Sequence, residues 1–130
     1  MMRRHVALVA LLCSPFLIFS GGCVAFLLAG GAAGGAVAYV RGELQVTLDY
    51  SIDACRTATA KAVESLQLTK KSETGDAVCA QFALENAQTT PINIKLERVS
   101  DSSTRLVIRV GTFGDQNVSQ RVLDEIKSQL

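Results

Sequence analysis

The 130-residue chain predicts an α+β domain, an antiparallel sheet in the order β-α-β-β-β-β-α with two helices packed on one face, preceded by a cleavable apolar leader. Three observations predict it. Residues 6–40 hold no charged side chain and 26 of those 35 residues are hydrophobic. In residues 41–130, by contrast, 35 of 90 are hydrophobic and 23 of 90 are charged, the balance of an ordinary soluble domain. Within this second part, runs of period-2 alternation are joined by two stretches with helical spacing. The mean hydropathy of +0.27 therefore averages two unlike halves.

The first strand is the cleanest. Leu44, Val46, Leu48 and Tyr50 alternate with Gln45, Thr47 and Asp49. Ser51 is then placed to cap a helix, with Asp53 in its first turn complementing the dipole. Ile52, Cys55, Thr59, Ala62, Val63 and Leu66 share one face of that helix, and Lys61 and Glu64 lie off it. Residues 68–72 predict a short polar strand, and Thr74-Gly75-Asp76 a turn. In residues 77–86 the inward face is Val78, Ala80, Phe82 and Leu84. After a loop at 86–91, Ile92, Ile94 and Leu96 mark the next strand, and a polar turn at 100–103 leads to Leu106, Ile108 and Val110. Asp115 stands as N-cap for a last helix with the stripe Val118, Val122, Leu123, Ile126 and Leu130. A meander of this kind leaves its second face wet, and Gln81, Asn93, Lys95, Glu97 and Arg109 suit that face.

The leader reads as an address. Arg3 and Arg4 precede the apolar run of residues 6–20, and Ser20-Gly21-Gly22 precede Cys23. A positive start, an apolar middle and small residues at a cut site make a secretory signal peptide, residues 1–22. The small residues before Cys23 resemble the box that ends a bacterial lipoprotein signal, although Ser20 stands where that box usually has Leu. The resemblance implies cleavage before Cys23, acylation of its thiol, and a lipid-anchored protein facing the periplasm. Val24 rather than Asp follows, which by similarity to lipoproteins of enteric bacteria implies the outer membrane over the inner. The competing readings are an uncut membrane segment and plain secretion. The two arginines keep the N-terminus cytoplasmic in each.

Residues 23–41 are expected to form a Gly/Ala-rich tether. Gly30 and Gly34, like Gly31 and Gly35, are four apart, so on a helix they would stack on one face and admit a second helix. Seventeen helical residues reach about 25 Å, short of the roughly 30 Å hydrocarbon core. A membrane-embedded oligomerising helix and an apolar stretch lying on the bilayer or the domain both remain open.

The octet Ile108-Arg109-Val110-Gly111-Thr112-Phe113-Gly114-Asp115, followed by Ser119, resembles the C-terminal signature of a family of small uncharacterised bacterial lipoproteins. The junction Tyr39-Val40-Arg41-Gly42-Glu43-Leu44 is similar to that family's link between Gly-rich segment and domain. The resemblance implies an architecture and no activity. Read from its residues, the octet is a structural turn in which Gly111 and Gly114 allow positive φ around Phe113, a hydrophobic plug before the Asp115 cap. The competing reading is an anion-binding loop, whose spacing fits neither a P-loop nor a dinucleotide fingerprint.

Chemistry is scarce. The only histidine, His5, lies in the leader, so the mature domain offers no imidazole for a nucleophilic triad or an ordinary zinc site. The carboxylates are scattered, Asp49 and Asp53 being a solvated helix start, and Asn117-Val118-Ser119 is an incidental sequon. A net charge of +1, falling to −1 without the leader, gives no case for nucleic acid. With Cys13 removed and Cys23 acylated, Cys55 and Cys79 remain. An oxidising compartment favours a disulfide between them, and alternation, which puts them on opposite sides of a strand layer, favours free thiols. The expectation is a non-enzymatic, cofactor-free envelope module. Its partners are membrane lipid through Cys23 and an envelope protein or a second copy of the chain. The competing function is a membrane-embedded assembly factor that oligomerises through the Gly-rich helix.

Overall fold

The computed structural model describes residues 36–130; the leader, Cys23 and the glycines at 30, 31, 34 and 35 lie outside the described residues. Six strands and two helices follow in the order β1 (Ala38–Val40), β2 (Glu43–Leu48), α1 (Ile52–Ser65), β3 (Thr69–Gly75), β4 (Cys79–Glu85), β5 (Pro91–Ser100), β6 (Ser103–Val110) and α2 (Gln116–Ser128). The strands form one sheet in the order β1-β2-β6-β5-β4-β3, with every neighbouring pair antiparallel. The α+β class is as predicted, with one strand more.

That strand is β1, which takes up the end of the Gly/Ala-rich segment. Arg41 and Gly42 both have positive φ, 53° and 82°, between the paired residues Val40 and Glu43. Two central residues of that hand make the hairpin turn that matches strand twist. The alternation at β2, β5 and β6 produces the expected inward rows: Leu44, Val46 and Leu48; Ile92, Ile94 and Leu96; Leu106, Ile108 and Val110 are all buried. Three expectations shift. Tyr50 lies beyond the end of β2 with its ring exposed, while its carbonyl accepts from Thr104 Oγ1 at 2.8 Å. Thr74 and Gly75 belong to β3, and the turn falls at Asp76, whose Oδ1 accepts from the amides of Val78 and Cys79 at 2.9 Å each. That turn holds Val78 out of β4, 55% exposed, so the inward row is Ala80, Phe82 and Leu84.

Both helices have their ends satisfied. Ser51 Oγ accepts from Ala54 N at α1, and Asp115 Oδ1 from Val118 N at α2. At the C-terminus of α1, Gln67 turns left-handed with φ 54°. Its amide donates to Glu64 and that of Leu68 to Val63, the paired bonds of a Schellman cap. Cys55, Ala58, Thr59, Ala62 and Val63 of α1 and Val122, Leu123 and Ile126 of α2 close over one sheet face. The buried Thr59 hydroxyl donates to the Cys55 carbonyl at 2.7 Å, so its burial leaves no orphan. The far edge, β3, is exposed almost throughout, carries Lys70 and Lys71, and has a register shift between Lys70 and Ser72. Lysines and a bulge are what keep an edge strand from pairing with another chain.

Candidate functional site

The helices leave the second sheet face open. Pairing aligns Glu43, Arg109, Asn93, Ala83 and Ser72 across five strands, and beside them Gln45, Val107, Lys95, Gln81 and Thr74. A third rung holds Thr47, Arg105, Glu97 and Cys79. Over the first two rungs lies a shallow hollow of about 260 Å³.

The charges on this face are matched. Lys95 Nζ lies 2.6 Å from Glu97 Oε1, and Arg109 Nη1 lies 3.4 Å from Glu43 Oε1. The hydrogen bond from Lys95 holds the Glu97 carboxyl below the usual carboxylate range, and the same bond pushes the ammonium of Lys95 up. Both groups therefore stay charged through neutral pH. Arg105 Nη2 donates to Gln45 Oε1 at 2.7 Å. Among the described residues, the side chains of Ser72, Thr74, Gln81 and Asn93 find no protein partner of this kind, so their amides and hydroxyls are free for a ligand. Alternation in the sequence places Gln81, Asn93, Lys95, Glu97 and Arg109 on this face. It misses Ser72 and Thr74, because β3 has no apolar residue to set a period and its register shifts between Lys70 and Ser72.

The second constructed place is the corner where β6 leads into α2. Gly111 and Gly114 have φ of 69° and 83°. Gly114 lies against Gly42 of the β1–β2 turn so closely that a Cβ on it would stand 2.4 Å from Gly42 Cα and 2.5 Å from the Tyr39 hydroxyl. A Cβ on Gly42 would meet the Phe113 carbonyl oxygen at 2.6 Å. Arg109 Nη2 braces the turn by donating to the Thr112 carbonyl at 2.7 Å. Thus the two stretches singled out in the sequence, 39–44 and 108–115, are in contact. Phe113 corrects an expectation: the ring plugs nothing and is 93% exposed, because the glycine contact fixes the backbone with the side chain outward. Ser119 is buried on α2, and its Oγ has no partner among the described residues.

Cys55 and Cys79 are both free thiols, which corrects the disulfide alternative. Cys55 is buried on the sheet-facing side of α1, and Cys79 sits half-buried on the opposite side of the strand layer. Burial pushes the Cys55 thiol up, only partly offset by the Thr104 hydroxyl. Maleimide treatment of the native protein followed by peptide mapping is expected to modify Cys79 and to spare Cys55 until denaturant is added. A peptide pair linked through Cys55 and Cys79 would contradict this. Among the described residues no group of three His, Cys, Asp or Glu could hold a metal ion, and no helix is long and apolar enough to cross a membrane.

A family model described as a protein of unknown function, DUF3568, matches residues 6–129. The chain belongs to the DUF3568 family. No curated protein matches the chain. The DUF3568 match begins at residue 6, within the uncharged apolar run, and runs through both halves of the glycine corner.

Proposed function

We propose that the protein is a lipid-anchored component of a bacterial envelope whose domain is a non-enzymatic binding module, with the open sheet face as its recognition surface. The anchor is Cys23, acylated after removal of residues 1–22. The address is carried by the two arginines, the apolar run and the small residues before Cys23, and a family match that starts at residue 6 favours treating the leader as part of the protein's design. The observation that carries the binding reading is the open row of Ser72, Thr74, Gln81 and Asn93, in a hollow bordered by already paired charges. Such a face offers many hydrogen bonds and little net charge. It suits an amide- and hydroxyl-bearing surface of an envelope protein, or a second copy of the chain, better than a strongly charged polymer.

A photo-crosslinking residue placed at Asn93 in cells tests this reading, with one at the exposed Lys61 on α1 as the control. The expected result is a discrete adduct from position 93 that is absent from position 61 and is lost when Thr74→Arg fills the hollow. Equal adducts from both positions, or none from position 93, would remove the sheet face from the account.

A further inference from the structure

We propose that the Phe113 corner is a lipid-facing tip, by which the domain rests on the bilayer that holds its own anchor. A phenyl ring 93% exposed is costly to keep in water, and a flexible turn would fold it back. This turn is not free to do so. Gly42 and Gly114 are packed backbone to backbone, and the Arg109 guanidinium holds the Thr112 carbonyl. Two glycines and an arginine thus keep an aromatic side chain pointing outward.

The neighbours of Phe113 point to a membrane surface as the occupant. Val40, 49% exposed, and Arg41, exposed and without an ion pair among the described residues, immediately precede the Gly42 that the Phe113 backbone touches. An aromatic ring with an aliphatic neighbour and a cation is the combination that settles at the lipid–water interface, the ring among the headgroups and the cation toward their phosphates. Two carboxylates lie close by in sequence, and both are engaged: Glu43, two residues after Arg41, pairs with Arg109, and the Oδ1 of Asp115, two residues after Phe113, accepts from the Val118 amide. The position of the chain agrees. Val40 and Arg41 end the edge strand β1, which begins two residues after Ala36, and the chain preceding it is the apolar run from Val24. The 13 residue-to-residue steps from Cys23 to Ala36 span at most about 45 Å, which keeps the corner within reach of the bilayer. This inference rests on the anchoring reading under Proposed function. It adds an orientation that leaves the open sheet face accessible from the side.

The chain has no tryptophan, so Phe113→Trp supplies a single reporter at a position where it cannot disturb the core. Val99→Trp serves as control, at the opposite end of the sheet beside the β5–β6 turn. The full chain of each variant, purified from a lipidating bacterial host, is reconstituted into phosphatidylethanolamine–phosphatidylglycerol vesicles with and without brominated acyl chains, and flotation reports membrane association independently. The tip reading expects the indole at position 113 to emit to the blue of a water-exposed one and to lose most of its emission to the brominated lipid. The indole at position 99 should be unaffected. Flotation with a water-like, unquenched indole at position 113 would overturn the tip and leave the anchor standing. A blue-shifted but unquenched emission there would mean that protein covers it, either residues 24–35 or a second copy, and would overturn the tip too. Quenching at both positions would remove the orientation. Failure to float would overturn the tip and the anchor together.

Discussion

Gly114→Ala is expected to lower the free energy of unfolding by about 3 kcal/mol, a large share of the roughly 5–15 kcal/mol that stabilises a domain. Two causes add. An L-residue held at φ +83° costs about 1–2 kcal/mol. The new Cβ would also stand 2.4 Å from the Gly42 Cα and carbonyl oxygen, and forced overpacking typically costs a further ~1–3 kcal/mol. The Tyr39 side chain could move aside, but the two contacts with Gly42 are with backbone and would remain. Gly111→Ala separates the two terms. Its φ is also positive, but the nearest atom to a new Cβ is Thr90 Cγ2 at an ordinary 3.5 Å, so only the conformational cost of about 1 kcal/mol applies. Gly42→Ala is expected to match Gly114→Ala, and the double variant to cost less than their sum, because one contact is broken twice. Urea titration of the four proteins measures this. Equal losses for Gly111→Ala and Gly114→Ala would mean that the corner is not packed as described.

Phe82→Ala is expected to cost about 3–5 kcal/mol, the largest loss for a single truncation of the core. The ring sits on β4, 1% exposed, beneath the part of α1 that carries Ala60 and Val63. Removing it leaves a cavity that neither sheet backbone nor helix can collapse to fill. Val78→Ala, four residues earlier, is the control. It is exposed and outside the strand, so its cost should stay within about 0.5 kcal/mol. Thermal or urea unfolding checks the pair, and a loss below ~1 kcal/mol at Phe82 would contradict the burial.

The contrast between Phe82 and Val78 also marks the limit of what alternation can tell. Period-2 spacing picks out the inward rows of β2, β5 and β6 because each has three apolar residues at every second position, and the stripe of α2 is legible for the same kind of reason. It cannot see that Asp76 captures the next amides and ends the row before Val78. Nor can it see β1, whose three residues stand in a Gly/Ala background where everything is small and apolar. β3 has the opposite difficulty, with no apolar residue to alternate. Phe113 escapes the pattern because an apolar residue is expected inside. Its exposure follows from a contact between Gly42 and Gly114, distant in sequence, and no local pattern encodes such a meeting. The polar composition of the open face is readable from the residues. The hollow in it depends on sheet twist and on the path of β3, which only the assembled structure supplies.

The proposed function depends on attachment of this domain to a membrane through Cys23. It is tested most directly by metabolic labelling with a clickable fatty acid in a bacterial host, comparing the wild-type chain with Cys23→Ala. The expected result is a labelled wild-type band, shortened by residues 1–22 and found in the membrane fraction, and an unlabelled Cys23→Ala protein. A wild-type chain of full length that takes up no label would contradict it.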